Sequence, residues 1–475
     1  MYKTDVLIIG AGAVGTAIAR ELSKHKLRVM VAEKKDDVGG DASKACNGCI
    51  STESSVEPFT LESKIAVHSK LLAAQLCEEL DIPINNCGNL TVAVNEEEMA
   101  VLPKKLKKAF DNCVYDVEYR TREEILEMEP NINPNVMGGV WDPRTSHVNL
   151  FMYVIAQAEN AAENGVEFLF DCKVEDIVVN NGTVDIVKTT KGDIKTKWVI
   201  NCAGLYCDDI AKMVGECDFT VHPRKGQFIL LDRETPVKVN HIVSSVPMPT
   251  SRGMMLCPTC EGNIVICPTA EDLQDKLDKK TTVEGFEELK AVALKLIPNV
   301  HLEDTITQFV GLRPAREPEG YYVDVSKKVR GYVGISGIRS SGLTGSLGIA
   351  KYTLQMMREA GLVLDRKSDY NPYRRGIVSF RDVSNEQREC LIKGDPLYGH
   401  IICRCETVTE AEIMQAIHRP LGARTVDAVK RRVRAGMGRC QGGFCSPRVM
   451  AILERELGMK PVEIRKRDGE SYMLR

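Results

Sequence analysis

The sequence predicts an α/β body interrupted by β-rich stretches and closed by a small tail, an α/β plus α+β chain, on three observations. A strand, a glycine turn, a helix and a second strand fill the first thirty-odd residues. Strand-then-glycine segments return at Trp198–Gly204 and Gly331–Gly345. Two close cysteine pairs then mark a separate tail. At roughly 100–200 residues per domain the 475 residues provide for about two to four domains. Hydrophobic residues at 43% and charged residues at 27% are ordinary for a globular chain and exclude a disordered or collagen-like one. A formal charge of -3, from 63 Lys and Arg against 66 Asp and Glu, provides no basic excess for phosphates and excludes a dedicated nucleic-acid binder.

Asp5 to Ile9 is a short apolar, β-branched run that leads directly into Gly10-Ala-Gly12-Ala-Val-Gly15. A helical pattern follows, then a strand from Leu27 to Ala32 ending in Glu33. Gly10 permits the tight turn, Gly12 lets backbone approach a pyrophosphate, and Gly15 lets helix and strand pack closely. The helix start offers unpaired N–H groups to phosphate, and Glu33 can accept from ribose hydroxyls. A dinucleotide site is the reading. Val6 to Ala19, the longest uncharged apolar stretch, is broken by these glycines and is too short for a bilayer, which needs about 20 residues. It also lacks the basic flank and cleavage site of a signal peptide. The expected location is cytoplasmic, with any membrane association arising through a partner.

Three separated segments returning to one nucleotide resemble the FAD-dependent oxidoreductases of the D-amino-acid oxidase and glycerol-3-phosphate dehydrogenase superfamily, over residues 1–365. The resemblance implies FAD held by a discontinuous Rossmann-like domain at 1–85, 140–220 and 310–365. Residues 86–139 and 221–309 would then form the β-rich substrate domain. It implies that the loop from Glu33 to Asn47, with Lys34, Ser43 and Lys44, wraps the pyrophosphate and flavin. Val174 would touch the adenine end, Ala203 and Gly204 would line the nucleotide, and Gly337, Gly342, Leu343 and Thr344 would meet the flavin ring.

Relatives carry a substrate-facing arginine in a Gly-Leu-Arg motif and a second cation further on. Arg313 and Arg339 stand at these places and suit a carboxylate or phosphate, with a structural ion pair as the alternative for each. Arg316 is expected at the periphery. The sequence departs from the family where an active-site histidine is usual, because Thr52 stands there. Glu53 is the candidate base in its stead, with a plain loop glutamate as the alternative. His147 and His222 are expected to be hydrogen-bonded structural histidines. Cys257, Cys260 and Cys267 are expected to be core thiols, and Cys46 with Cys49 is a weaker candidate for a redox pair near the flavin.

Most of the 17 cysteines suit reduced, buried thiols. Cys403 and Cys405, then Cys440 and Cys445, form two close pairs separated by helical sequence, which suits four thiolates on one metal centre. Spacing alone leaves zinc and an iron–sulfur cluster both open. The flanking residues resemble the bacterioferritin-associated ferredoxin-like domain, which implies a [2Fe–2S] cluster on 397–475, tethered by a polar linker at 366–396. From Leu391 onward the chain is basic by six charges. Arg404, Arg439 and the run Lys430-Arg431-Arg432 offer to offset cluster charge or meet an acidic electron partner, or in the run to form a solvated helix face.

A two-electron flavin beside a one-electron cluster implies export of electrons to a partner protein, and the resemblance to the large subunit of anaerobic glycerol-3-phosphate dehydrogenases, which carries the same tail, implies a multi-subunit complex as its setting. The expected activity is a dehydrogenase similar to it, acting on a small anionic hydroxy acid or polyol phosphate. Two alternatives stand beside it: an amine or amino-acid dehydrogenase of the same superfamily, and an electron-transfer subunit with an idle pocket.

Overall fold

The computed structural model describes residues 1–216, 218–247 and 253–474, apart from the side chain of His68. Its centre is a six-stranded sheet in the order Glu167–Leu169, Val29–Ala32, Val6–Ile9, Trp198–Asn201, Tyr332–Ser336 and Tyr322–Val325. All neighbours are parallel except the last pair. The strand Val6–Ile9 is buried on both faces, which explains its unbroken apolar sequence. Val6 and Ile8 pack with Ile18, Leu22, Tyr153 and Ile349 from the helices Ala13–Ser23, Leu150–Glu163 and Gly342–Glu359. Leu7 and Ile9 face the opposite way, onto Val174, Ile177, Val184 and Val187 of a small four-stranded sheet.

The β-rich section is a second, larger sheet. Its longest strands, Thr220–Leu231 and Thr305–Glu317, run antiparallel with Gly226 opposite Gly311 and Arg224 opposite Arg313. Asn89–Ala93 joins the same sheet beside Ile242–Ser245, so residues from 86–139 and 221–309 share one architecture. Thr305–Glu317 stays in this sheet beyond residue 310, and the chain re-enters the nucleotide sheet only at Tyr322. The helix Val283–Leu296 closes the core around Leu256, Ile266 and Leu289.

The tail has its own core of Ile402, Ile413, Ile417, Val429, Val449, Ile452 and Leu453. It contains the hairpin of Ile401–Cys403 with Val408–Thr409 and the helices Glu410–His418, Val426–Val433 and Ser446–Leu457. Residues 366–396, expected as a tether, are packed onto the body in part. Arg374 is buried and donates to Glu159 at 2.6 Å, and Asn371 holds Asn160 and Asn164. A short helix, Asn385–Gly394, follows with a Ser384/Gln387 capping box. Among the described residues no helix is long and apolar enough to cross a membrane.

Candidate redox site

The first strand ends in a turn whose shape depends on glycine. Gly10 has φ +100°, and a Cβ there would lie 2.6 Å from the Cys202 carbonyl oxygen. At Gly15 a Cβ would lie 2.0 Å from the Gly10 carbonyl oxygen. Gly12 is the N-cap of Ala13–Ser23 and provides no side-chain cap, so the first-turn amides are left for other partners. One of them, Ala13 N–H, donates to Ser43 Oγ at 3.0 Å. Glu33 accepts from Ala11 N–H at 2.7 Å and Lys35 N–H at 3.0 Å, and its burial pushes the carboxyl pKa up.

Lys44 lies in the same loop. Burial first, then the charges of Arg431 and Lys35, bring its pKa down to about 8. Lys34 Nζ stands 3.3 Å from the centre of the Tyr206 ring. Val174 is buried behind the loop. Ala203 N–H donates to Asn201 Oδ1, and Gly204 at φ +55° has nothing within 4 Å of its Cβ position.

At the other end, Gly337 has φ +75° and backs onto the Gly320 carbonyl, where a Cβ would come within 2.0 Å. Helix Gly342–Glu359 then begins with no side-chain cap. Leu343 and Thr344 are buried, and Thr344 Oγ1 accepts from Ser51 N–H at 3.2 Å. Gly311 of the β-rich sheet meets Ala45 so closely that a Cβ would sit 2.1 Å from its carbonyl oxygen. The loop 43–53 is thus held between a helix start and the second sheet. Two uncapped helix starts, Cβ-free backbone at the first turn and open space at Gly204 fit an elongated diphosphate nucleotide such as FAD.

The anion-binding candidates are all engaged within the protein. Arg313 donates to the carbonyls of Thr269 at 2.7 Å, Lys225 at 3.1 Å and Arg224 at 3.2 Å. It stands two residues from Gly311, beside the 43–53 loop. Arg339, at φ +49°, pairs with Glu62 at 3.2 Å and with Glu319. Glu53 is buried at φ +51° and accepts from Ser51 Oγ at 2.9 Å. Thr52 donates its hydroxyl to Asp142, away from any basic role. His222 lies 3.4 Å from Asp272, and Arg316 stacks on Phe219 and Tyr322.

The tail cysteines stand as two pairs. Cys405 and Cys440 sulfurs are 3.6 Å apart and half-buried. Cys403 and Cys445 are buried, and the Cys445 hydrogen bond brings the Cys403 thiol down to about 6 against the effect of burial. Backbone N–H groups of Gly436 and Glu406 point at Cys403, and those of Gly442, Gly443 and Phe444 at Cys440. Gly438 is required, since a Cβ would lie 2.5 Å from Cys405 Cβ. Two thiol pairs ringed by amide donors fit two irons with two thiolates each, and amide bonds to sulfur are a standard means of setting a cluster's potential.

The basic run of the tail has a partner inside the chain. Arg431 and Arg432 are buried and bind Asp37 at 2.8 and 2.7 Å, and Arg431 also donates to the Val38 carbonyl. Thr425 donates to Asp36. These contacts clamp the tail onto the loop that follows Val29–Ala32. Arg439 is mostly exposed and pairs with Asp232. Cys257 and Cys267 lie in an apolar cluster with Cys87, Phe228 and Ile242, and Cys49 packs against it, whereas Cys46 bonds the Ser43 carbonyl. Cys260 is different, since it sits on a turn against His147.

Residues 5–356 match the family described as FAD dependent oxidoreductase, and residues 401–455 match the BFD-like [2Fe-2S] binding domain. A protein of Caloramator mitchellensis named glycerol 3-phosphate dehydrogenase is 41% identical over 470 residues, covering 99% of this chain and 98% of its own length. A glycerol 3-phosphate oxidase of Mycoplasma genitalium is 28% identical over 78% of this chain and 98% of itself. Among solved structures, dithionite-reduced L-α-glycerophosphate oxidase from Mycoplasma pneumoniae with FAD bound superposes with a TM-score of 0.74. It is 27% identical and covers 78% of this chain and 98% of its own. A nucleotide cradle built on glycines and a four-thiol tail, matched by the two family models and by the Caloramator relative, establish an FAD- and [2Fe–2S]-dependent oxidoreductase: the chain belongs to the FAD dependent oxidoreductase family and carries a C-terminal BFD-like [2Fe–2S] domain.

Proposed function

We propose that the chain is a dehydrogenase of sn-glycerol 3-phosphate that exports electrons through its cluster to a protein partner. The observation that carries this reading is the Caloramator relative named glycerol 3-phosphate dehydrogenase, whose likeness extends over body and tail together. Gly10, Gly12, Gly15, Glu33, Lys34, Ser43, Lys44, Val174, Ala203 and Gly204 hold the ADP half of FAD in this reading. Gly337, Gly342, Leu343 and Thr344 hold the ring, and Cys403, Cys405, Cys440 and Cys445 bind the cluster. When bound, the flavin accepts a hydride and the cluster passes single electrons. Arg313 turns from its backbone carbonyls to the substrate phosphate, and Glu53 takes the hydroxyl proton.

Steady-state oxidation with a one-electron dye tests the substrate class. The wild type turns over sn-glycerol 3-phosphate, and Arg313→Met lowers kcat/KM by roughly ten- to a hundredfold, the worth of a lost charge-assisted hydrogen bond. Thr52 at the position where relatives carry histidine favours a second reading, oxidation of an amino acid. Turnover of amino acids with none of glycerol 3-phosphate would establish that one and refute the first.

A further inference from the structure

Two of the tail's contacts with the body lead to different ends of the nucleotide. The Asp37 clamp lies on the loop after Val29–Ala32, at the phosphate end. The other contact starts beside the 43–53 loop. His147 hydrogen-bonds the Asn47 backbone, and its Nδ1 accepts from Cys260 N–H at 3.2 Å with Cys260 Sγ at the same distance. Cys260 Sγ donates in turn to the His147 carbonyl. Burial pushes the His147 pKa down, so the ring is neutral, with Nδ1 as acceptor and the proton on Nε2. Gly48 leaves room for this ring, since a Cβ there would lie 2.6 Å from His147 Nε2.

The next residue, Glu261, is fixed by Asn149 Nδ2 at 2.7 Å and pairs with Arg434 at 3.7 Å. Arg434 also donates to Asn263 Oδ1 at 3.1 Å and to Glu406 at 2.8 Å. Glu406 follows the cluster ligand Cys405 directly in sequence. One chain of covalent and polar contacts therefore runs Asn47, His147, Cys260, Glu261, Arg434, Glu406, Cys405.

We infer that the turn carrying Cys260 and Glu261, clasped by His147 on one side and Arg434 on the other, is the bridge that fixes the flavin loop to the cluster loop for electron transfer. This rests on the proposed order, flavin first and cluster second. With both groups bound, each electron leaving the reduced flavin would reduce one ferric iron of the oxidised cluster to ferrous, a one-electron protein acceptor would reoxidise the cluster before the second electron follows, and the flavin proton would leave to solvent. No bond in the bridge is made or broken, and no proton moves along it. Cys260 acts as a contact atom with its thiol intact, and His147 and Arg434 are positioning residues. A hydrogen-bonded bridge couples two centres better than the gap that remains when a link is removed.

The test uses the full holoenzyme and a light pulse that reduces the flavin from a sacrificial donor, so that it needs no substrate and stands apart from the substrate question. The rate of cluster reduction is read by its absorption, and amide exchange over 426–433 reports whether the tail stays docked. His147→Leu and Arg434→Met are each expected to slow the transfer about tenfold while 426–433 keeps its protection. Arg434→Lys restores part of the rate. In the wild type, imidazole 15N shifts should show His147 protonated at Nε2 only. An unchanged transfer rate in both variants overturns the inference, as does slowing that occurs only where protection of 426–433 is lost. If the flavin never reduces the cluster in the wild type, the proposed order of centres fails instead.

Discussion

Asp37→Asn is the substitution that most directly probes how the tail is attached. Asp37 is 4% exposed and neutralises two guanidiniums, Arg431 and Arg432, whose own exposures are 7% and 6%. Asparagine keeps the shape and removes the charge, leaving two buried cations without their shared anion. Removing one partner of a buried pair costs about 3–5 kcal/mol. Glu159 Oε1 stands 4.0 Å from Arg432 Nε and offsets part of this, which favours the lower end of that range. A loss of about 3 kcal/mol in docking corresponds to faster amide exchange across 426–433 by roughly a hundredfold, while the nucleotide sheet keeps its protection.

The same pair has a defined pH dependence. Burial alone would raise the Asp37 pKa, but the charges and hydrogen bonds of Arg432 and Arg431 outweigh it, so the folded value lies below the ordinary one. The contribution is therefore complete at neutral pH and is lost as pH falls through that lower value, below about pH 4. Asp37→Asn should flatten this acid limb. Exchange over 426–433 that stays within about threefold of the wild type would refute the clamp.

Other predictions concern the two cofactor sites. Gly15→Ala places a Cβ 2.0 Å from the Gly10 carbonyl oxygen and is expected to yield protein without the flavin absorption band. A variant purified with full flavin would contradict the role given to that turn. Cys403→Ser should abolish the cluster's absorption and EPR signals and leave flavin bound. Survival of the cluster spectrum would remove Cys403 from the ligand set. Lys44, with its pKa at about 8, loses its charge as pH rises through that value, so FAD should bind more weakly at about pH 9 than at about pH 7. In Lys44→Met binding should be weak and nearly level across that range, as isothermal titration would show. For the apo fold the sign is opposite: the unfolded chain binds more protons above pH 8, so Lys44 itself adds stability as pH rises.

The nucleotide turn was legible because its constraints are local. Gly10 has a left-handed φ of +100° and Gly15 is forced by the Gly10 carbonyl five residues away, and the flanking strand and helix show their own periodicities. The four tail cysteines stood out as two close pairs in sequence, but their pairing in space did not, since Cys405 meets Cys440 and Cys403 meets Cys445. What the sequence does not display is which residues meet across hundreds of positions. Arg431 and Arg432 look like any basic helix face until Asp37 is brought to them. Arg374 lies in a polar segment that reads as a tether, yet it is buried against Glu159. Cys260 shares a C-x-x-C spacing with Cys257, but Cys257 lies in a strand among apolar side chains and Cys260 on the turn beyond it. A three-residue offset at the end of a hairpin separates a core thiol from an interfacial one, and only the pairing of Met255–Pro258 with Ile264–Cys267 defines where the turn begins. Arg313 and Arg339 became candidates for a substrate anion by resemblance, while their bonds to Thr269, Glu62 and Glu319 depend on tertiary packing.

In the proposed function sn-glycerol 3-phosphate delivers electrons to the flavin, and they pass on to the cluster. Anaerobic titration of the holoenzyme with sn-glycerol 3-phosphate, followed by visible absorption and EPR, tests it most directly. Loss of the flavin band followed by the signal of a reduced [2Fe–2S] centre is the expected result. A flavin band untouched by sn-glycerol 3-phosphate, in protein whose flavin and cluster are both reduced by dithionite, would contradict it.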